Sequence, residues 1–190
     1  MGKRVGYSYL NIKRAPSMRD ALKITSGLKL DEIIKREEYQ VDYTRTDLTL
    51  LKSEYSRKSN GDAIRVITVA RPGRLEIETT TMETSTWKTR KLTHSVYPSS
   101  VINLLPLVQG LRVDNSYRYP VFMPSTGSVE TVRQRVKSCE RLEEFGRPAF
   151  RLTTKLKGRK TQSWIDARGN MLKEKGDFGI FSMSLVLENP

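Results

Sequence analysis

At 190 residues with 37% hydrophobic content, the chain can bury one sizeable core, and its apolar residues fall in short punctuated runs rather than being diluted as in a disordered chain. A formal net charge of +13 predicts attraction to polyanions such as nucleic acid, anionic lipid headgroups or lipopolysaccharide. The lone Cys139 excludes an internal disulfide framework and, with the lone His94, argues against a structural zinc site.

No stretch approaches the roughly 18 to 20 consecutive apolar residues of a membrane helix. Residues 1–14 also lack the apolar core of a signal peptide, and Gly6 breaks the myristoylation pattern. As it stands the chain reads as soluble and without an export signal.

In chain order, GKRVGYSYLNI places Val5, Tyr7 and Tyr9 at alternating positions, which predicts a first strand with an aromatic face turned inward. ALKITSGLKL reads as a short strand before a turn at Asp31. In EYQVDYTR, Tyr39, Val41 and Tyr43 alternate with Gln40, Asp42 and Thr44, and Asn60-Gly61 supplies a hairpin turn. AIRVITVA is β-branched, Pro72-Gly73 turns the chain, and the Thr-rich stretch after it predicts one or two strands with Leu75 and Ile77 inward and Glu76 and Glu78 outward.

The pattern changes at SSVINLLPLVQG, where a Ser cap, an almost wholly apolar run and a closing Gly predict one short helix over about 99–110, bent at Pro106. Such uniform apolarity demands burial against the inner face of a sheet. From about 129 to 188 the chain reads as an antiparallel β-meander. In it Phe150, Leu152 and Leu156 alternate with Arg151, Thr153, Lys155 and Lys157, and Phe181, Met183, Leu185 and Leu187 share a face. The whole predicts a single, mainly β domain over 1–190.

Residues able to carry chemistry are few. Cys139 shares its strand parity with Arg133, Arg135, Lys137 and Arg141, a solvated basic face, and nothing in the sequence brings His94 beside it. The pairs Asp31-Glu32, Glu37-Glu38 and Glu143-Glu144 are adjacent, so in a strand they point to opposite faces and cannot flank one bond. Asp177-Phe178-Gly179 imitates a kinase metal-binding motif but has no catalytic or phosphate-binding loop to accompany it, and reads as a turn. The expectation is therefore a protein that is not an enzyme, with no catalytic residue, metal or cofactor. In the meander the aromatics lie opposite the cations, which argues against stacking on RNA or a single strand. What remains is the apolar side: a curved sheet around a short helix can enclose a cavity. Its candidate lining is Trp87, Leu104, Leu105, Leu107, Val108, Phe150, Trp164 and Phe181.

Two stretches carry a resemblance. GKRVGYSYL at 2–10 resembles the first strand of the β-domain found ahead of transglutaminase-like modules in bacterial exported proteins, and TQSWIDARGNMLKEK at 161–175 resembles its Trp-[Ile/Val]-Asp-x-x-Gly strand-turn-strand. The resemblance implies an open half-barrel of curved antiparallel sheet with a helical insertion, similar to the periplasmic lipoprotein carriers of the LolA and LolB type. It implies a periplasmic or envelope location, the alternative being the cytoplasm. It further implies a lipid or other apolar ligand in the concave face, or else a structural accessory role beside a partner module; an anionic membrane surface as partner follows instead from the charge of +13. No lipobox cysteine and no transglutaminase Cys, His and Asp set accompanies these stretches. A basic nucleic-acid-binding protein is the third and weakest reading.

Overall fold

The computed structural model describes residues 6–16, 18–31, 35–178 and 181–187, except for the side chains at 177, 178 and 181–183. Its strands are β1 (Gly6–Arg14), β2 (Ala21–Leu30), β3 (Arg36–Arg45), β4 (Leu50–Ser59), β5 (Asp62–Arg71), β6 (Arg74–Thr81), β7 (Ser85–Lys91), β8 (Tyr97–Pro98), β9 (Ser116–Met123), β10 (Ser128–Leu142), β11 (Arg147–Leu156), β12 (Arg159–Ile165), β13 (Met171–Phe178) and β14 (Phe181–Val186). Between β8 and β9 lie a 3-10 turn, Ser99–Leu104, and the short helix α1, Leu105–Val108. The fold is thus mainly β and antiparallel, with one short apolar helix, as the strand periodicity predicts. It resolves into two seven-stranded sheets of orders β1-β2-β3-β4-β5-β6-β7 and β14-β13-β12-β11-β10-β9-β8. Nearest neighbours in sequence are nearest neighbours in each sheet, because tight turns at Asn60-Gly61, Pro72-Gly73 and Lys157-Gly158 return the chain at once.

The chain forms two compact units, residues 1–100 with 122–129 and residues 101–121 with 130–190. In the first unit, Leu50, Tyr55, Val66, Leu75, Ile77, Val96 and Phe122 form the core, with Leu75 and Ile77 turned inward as their alternation predicts. In β3 the polar face, Gln40, Asp42 and Thr44, is buried throughout, whereas on the opposite face Val41 is buried, Tyr43 half-buried and Tyr39 exposed. The first strand departs from expectation. Tyr7 and Tyr9 are not covered: β1 stands at the sheet edge with both its faces open, and Tyr9 lies across Gly27, its neighbour on β2. With no side chain at Gly27, the ring finds its partner surface in the adjacent backbone rather than in a second layer. Val5, assigned to the same face, lies outside the described residues.

In the second unit, adjacent residues of the meander serve different faces. Val136, Leu152 and Ile165 pack with Leu107, Leu111, Tyr117, Phe150 and Met171. Ala149, Trp164 and Leu172 form a separate small cluster with Leu142 and Phe145. The cations Arg133, Arg135, Lys137 and Arg141 are exposed beside the exposed Cys139, as read from the sequence. Asp177 and Phe178 end β13 and Gly179 lies outside the described residues.

Candidate functional site

The apolar segment 99–110 is the feature on which function was expected to turn. In the second unit it contributes Val101 and Leu105, both buried, and Leu107, which packs on Val136, Leu152 and Ile165. A side chain added at Gly169, in the β12–β13 turn, would sit 2.9 Å from a Leu107 methyl and 3.5 Å from a Leu104 methyl. Gly169 also has φ +90°, a conformation L side chains rarely adopt. The turn glycine and the two leucines therefore meet at van der Waals contact.

The structure describes the side chains of seven of the eight residues expected to line one cavity. Leu104, Leu105, Leu107 and Phe150 lie in the second unit on the side of the helical segment. Val108 is 54% exposed and Trp87, on edge strand β7 of the first unit, is 73% exposed. Trp164 is buried on the other face of its sheet, because it immediately precedes the inward Ile165. Its indole N–H donates to Glu140 Oε1 at 2.6 Å. Phe181 starts β14, but its side chain lies outside the described residues.

The Trp-Ile-Asp-x-x-Gly stretch has a clear local logic. Asp166 Oδ1 accepts the backbone N–H groups of Arg168 and Asn170, each at 2.9 Å, and Oδ2 accepts from Asn170 Nδ2 at 2.9 Å and Arg147 at 3.2 Å. Burial disfavours its charge, but these hydrogen bonds and the Arg147 guanidinium outweigh that and hold the carboxyl below its ordinary range. Asp166 is thus the organiser of a turn.

Two buried acids escaped the sequence reading. In the first unit Ile24, Asp42, Ser53, Thr68 and Ile77 stand side by side across β2 to β6, all buried. Asp42 Oδ2 accepts from Gln40 Nε2 at 2.8 Å and from the Ser100 hydroxyl, and Ser99 donates to Gln40 Oε1 at 3.3 Å. Burial pushes the Asp42 carboxyl up, against the opposing hydroxyl and amide donors. The nearby Ser53 hydroxyl also favours its charged form, yet neither it nor Asp42 Oδ1 has a well-formed hydrogen bond among the described residues. In the second unit Glu174 accepts from Asn103 Nδ2 at 3.0 Å, and burial likewise pushes its carboxyl up. The signal for Asp42 was the polar alternation Gln40, Asp42, Thr44, which competes with an equally regular Tyr39, Val41, Tyr43. Only the covering segment decides between them.

The concavity at the loop end of β2 and β3 holds about 220 Å³ and is bordered by Lys29, Lys35, Arg36, Glu37 and Lys58. Among the described residues no group of three or more His, Cys, Asp or Glu is placed to hold a metal ion. Nor is any helix there long and apolar enough to cross a membrane.

No family model matches the chain, and no curated protein does. Solved structures do. A β-barrel-like protein of the domain of unknown function DUF1849 from Brucella abortus superposes with a TM-score of 0.68 at 10% identity, covering 96% of this chain and 86% of that one. A DUF1089 family protein from Pseudomonas aeruginosa superposes with a TM-score of 0.53 at 11% identity, covering 90% and 89%. The chain shares the fold of a β-barrel-like protein. At such identities the likeness is one of fold.

Proposed function

We propose that the chain is a non-catalytic β-domain of a bacterial envelope protein, serving as a structural and binding module beside another component, with residues 99–110 as internal packing rather than a lid. One observation carries this reading: Leu105 is 2% exposed and Leu107 is packed among Val136, Leu152 and Ile165, both within a segment that a carrier would need to move. The envelope location rests on the resemblance of residues 2–10 and 161–175. The rival reading, a carrier holding an acyl chain in its concave face, needs room. The concavity at the loop end of β2 and β3 is edged by Lys29, Lys35, Arg36 and Lys58, a lining suited to charge rather than to an acyl chain.

Native mass spectrometry and solvent extraction of protein purified without detergent decide between them. The expected spectrum shows the bare chain mass and the extract contains no lipid in stoichiometric amount. A mass raised by one lipid per chain, lost on extraction, overturns the packing reading in favour of the carrier.

A further inference from the structure

The edge strand β1 is nine residues long, and each of its residues from Tyr7 to Arg14 is exposed. It is hydrogen-bonded on one side, to β2. Among the described residues its other side presents unpaired backbone N–H and C=O groups, flanked by apolar side chains on both faces. Tyr7 and Tyr9 stand on one face, Leu10 and Ile12 on the other, each between 42% and 48% exposed. Edge strands of this kind are ordinarily blunted by charge, proline or brevity. The opposite edge of the same sheet is blunted: β7 carries Lys88, Arg90 and Lys91 among seven residues. β1 has no such protection before Lys13.

We infer that β1 is a self-association site, pairing antiparallel with the β1 of a second copy of this chain. The strand's own sequence favours that occupant. A two-fold pairing centred on Leu10 sets Leu10 against the second copy's Leu10, Ser8 against Ile12, and Tyr7 against Lys13. Opposed residues then lie on the same face of the joined sheet. Lys13 then lies opposite the partner's Tyr7 on the tyrosine face, where a cation is attracted to the ring, and Arg14 falls on the other face opposite Gly6. Parallel pairing would set the cations of both copies side by side. The interface is isologous, so it closes at a dimer rather than growing a fibre.

With +13 charges on each copy, long-range repulsion opposes association and added salt relieves it. Salt dependence therefore has the opposite sign to that of polyanion binding, which salt weakens. This inference stands apart from the envelope reading and survives or fails independently of it.

Sedimentation-equilibrium measurements across a wide concentration range, at low and high salt, test it. The full chain is expected to form a dimer that tightens with salt. Leu10→Lys should weaken dimerisation by about tenfold or more, a charge against a charge at the two-fold axis, while leaving the melting temperature unchanged at concentrations low enough for both proteins to be monomeric, where Leu10 is exposed. Trp87→Lys, on the far edge of the sheet, should leave it unchanged. A chain that stays monomeric at all concentrations, a dimer indifferent to Leu10→Lys, or one broken by Trp87→Lys overturns the proposal. Leu10→Ser distinguishes lost pairing from misfolding, since it removes the apolar contact without adding charge and should weaken the dimer less than the lysine does.

Discussion

Single residues carry the turn that joins β12 to β13. Asp166 gathers two backbone N–H groups and the Asn170 amide, while Gly169 takes a positive φ and lets Leu107 and Leu104 close upon it. Gly169→Ala introduces a methyl that is both conformationally strained and 2.9 Å from Leu107, so it should lower stability by about 1–3 kcal/mol, read as a fall in the urea midpoint at constant slope. The Asp and Gly of this stretch were visible in the sequence as a turn. That Gly169 also receives two leucines from a segment some sixty residues earlier was not, because nothing local marks a close approach.

At the scale of elements, the helical segment and the alternation of strands behave differently. The 99–110 segment was legible in its apolarity but not in its caps: the α-helix is only Leu105–Val108, capped by no side chain and with Pro106 in its first turn rather than at a bend, and Ser99 and Ser100 donate to Gln40 and Asp42 instead. If it is core, truncating its inward side chain should be costly and truncating its outward one should not. Leu105→Ala is expected to destabilise by about 2–4 kcal/mol and Val108→Ala by under about 0.5 kcal/mol, measured by chemical denaturation. Equal, small losses would mean the segment is only loosely held. The strands were legible in number and turn positions, but their faces were not uniformly so. Leu75 and Ile77 have one possible inward parity because Glu76 and Glu78 oppose them. Tyr39 and Gln40, or Trp164 and Ile165, offer two plausible parities, and in each pair the structure buries the second on the principal inner face.

For the whole molecule, stability against pH follows from the buried acids. Asp42 and Glu174 have their carboxyls pushed up by burial. A raised folded-state value means the native state holds the proton more tightly than the unfolded chain, so their stabilising contribution is complete below the unfolded carboxylate range and is lost as pH rises through the folded value. Asp166 works in the opposite sense: its carboxyl is held down, and its contribution is lost as pH falls. Asp42→Asn keeps an oxygen for Gln40 and Ser100 while removing the charge. It should therefore raise stability at neutral pH relative to acid and flatten the decline above the ordinary aspartate range, followed by denaturation midpoints from pH 4 to pH 8. A variant as pH-dependent as the parent would place the titrating group elsewhere.

The sequence by itself determined the class of fold: strand length, two-residue alternation, turn glycines and the one apolar helix are local properties of the chain, written in neighbouring residues. Only the tertiary structure decided which face each strand turns inward, which strand stands at an edge, and which acids are buried. Those outcomes depend on what covers a face, and the cover comes from residues distant in sequence. Tyr9 is left open because β1 stands at the edge with a neighbour on one side only, and Asp42 is closed because Ser100 bonds to it and Ile24 and Ser53 flank it on the neighbouring strands.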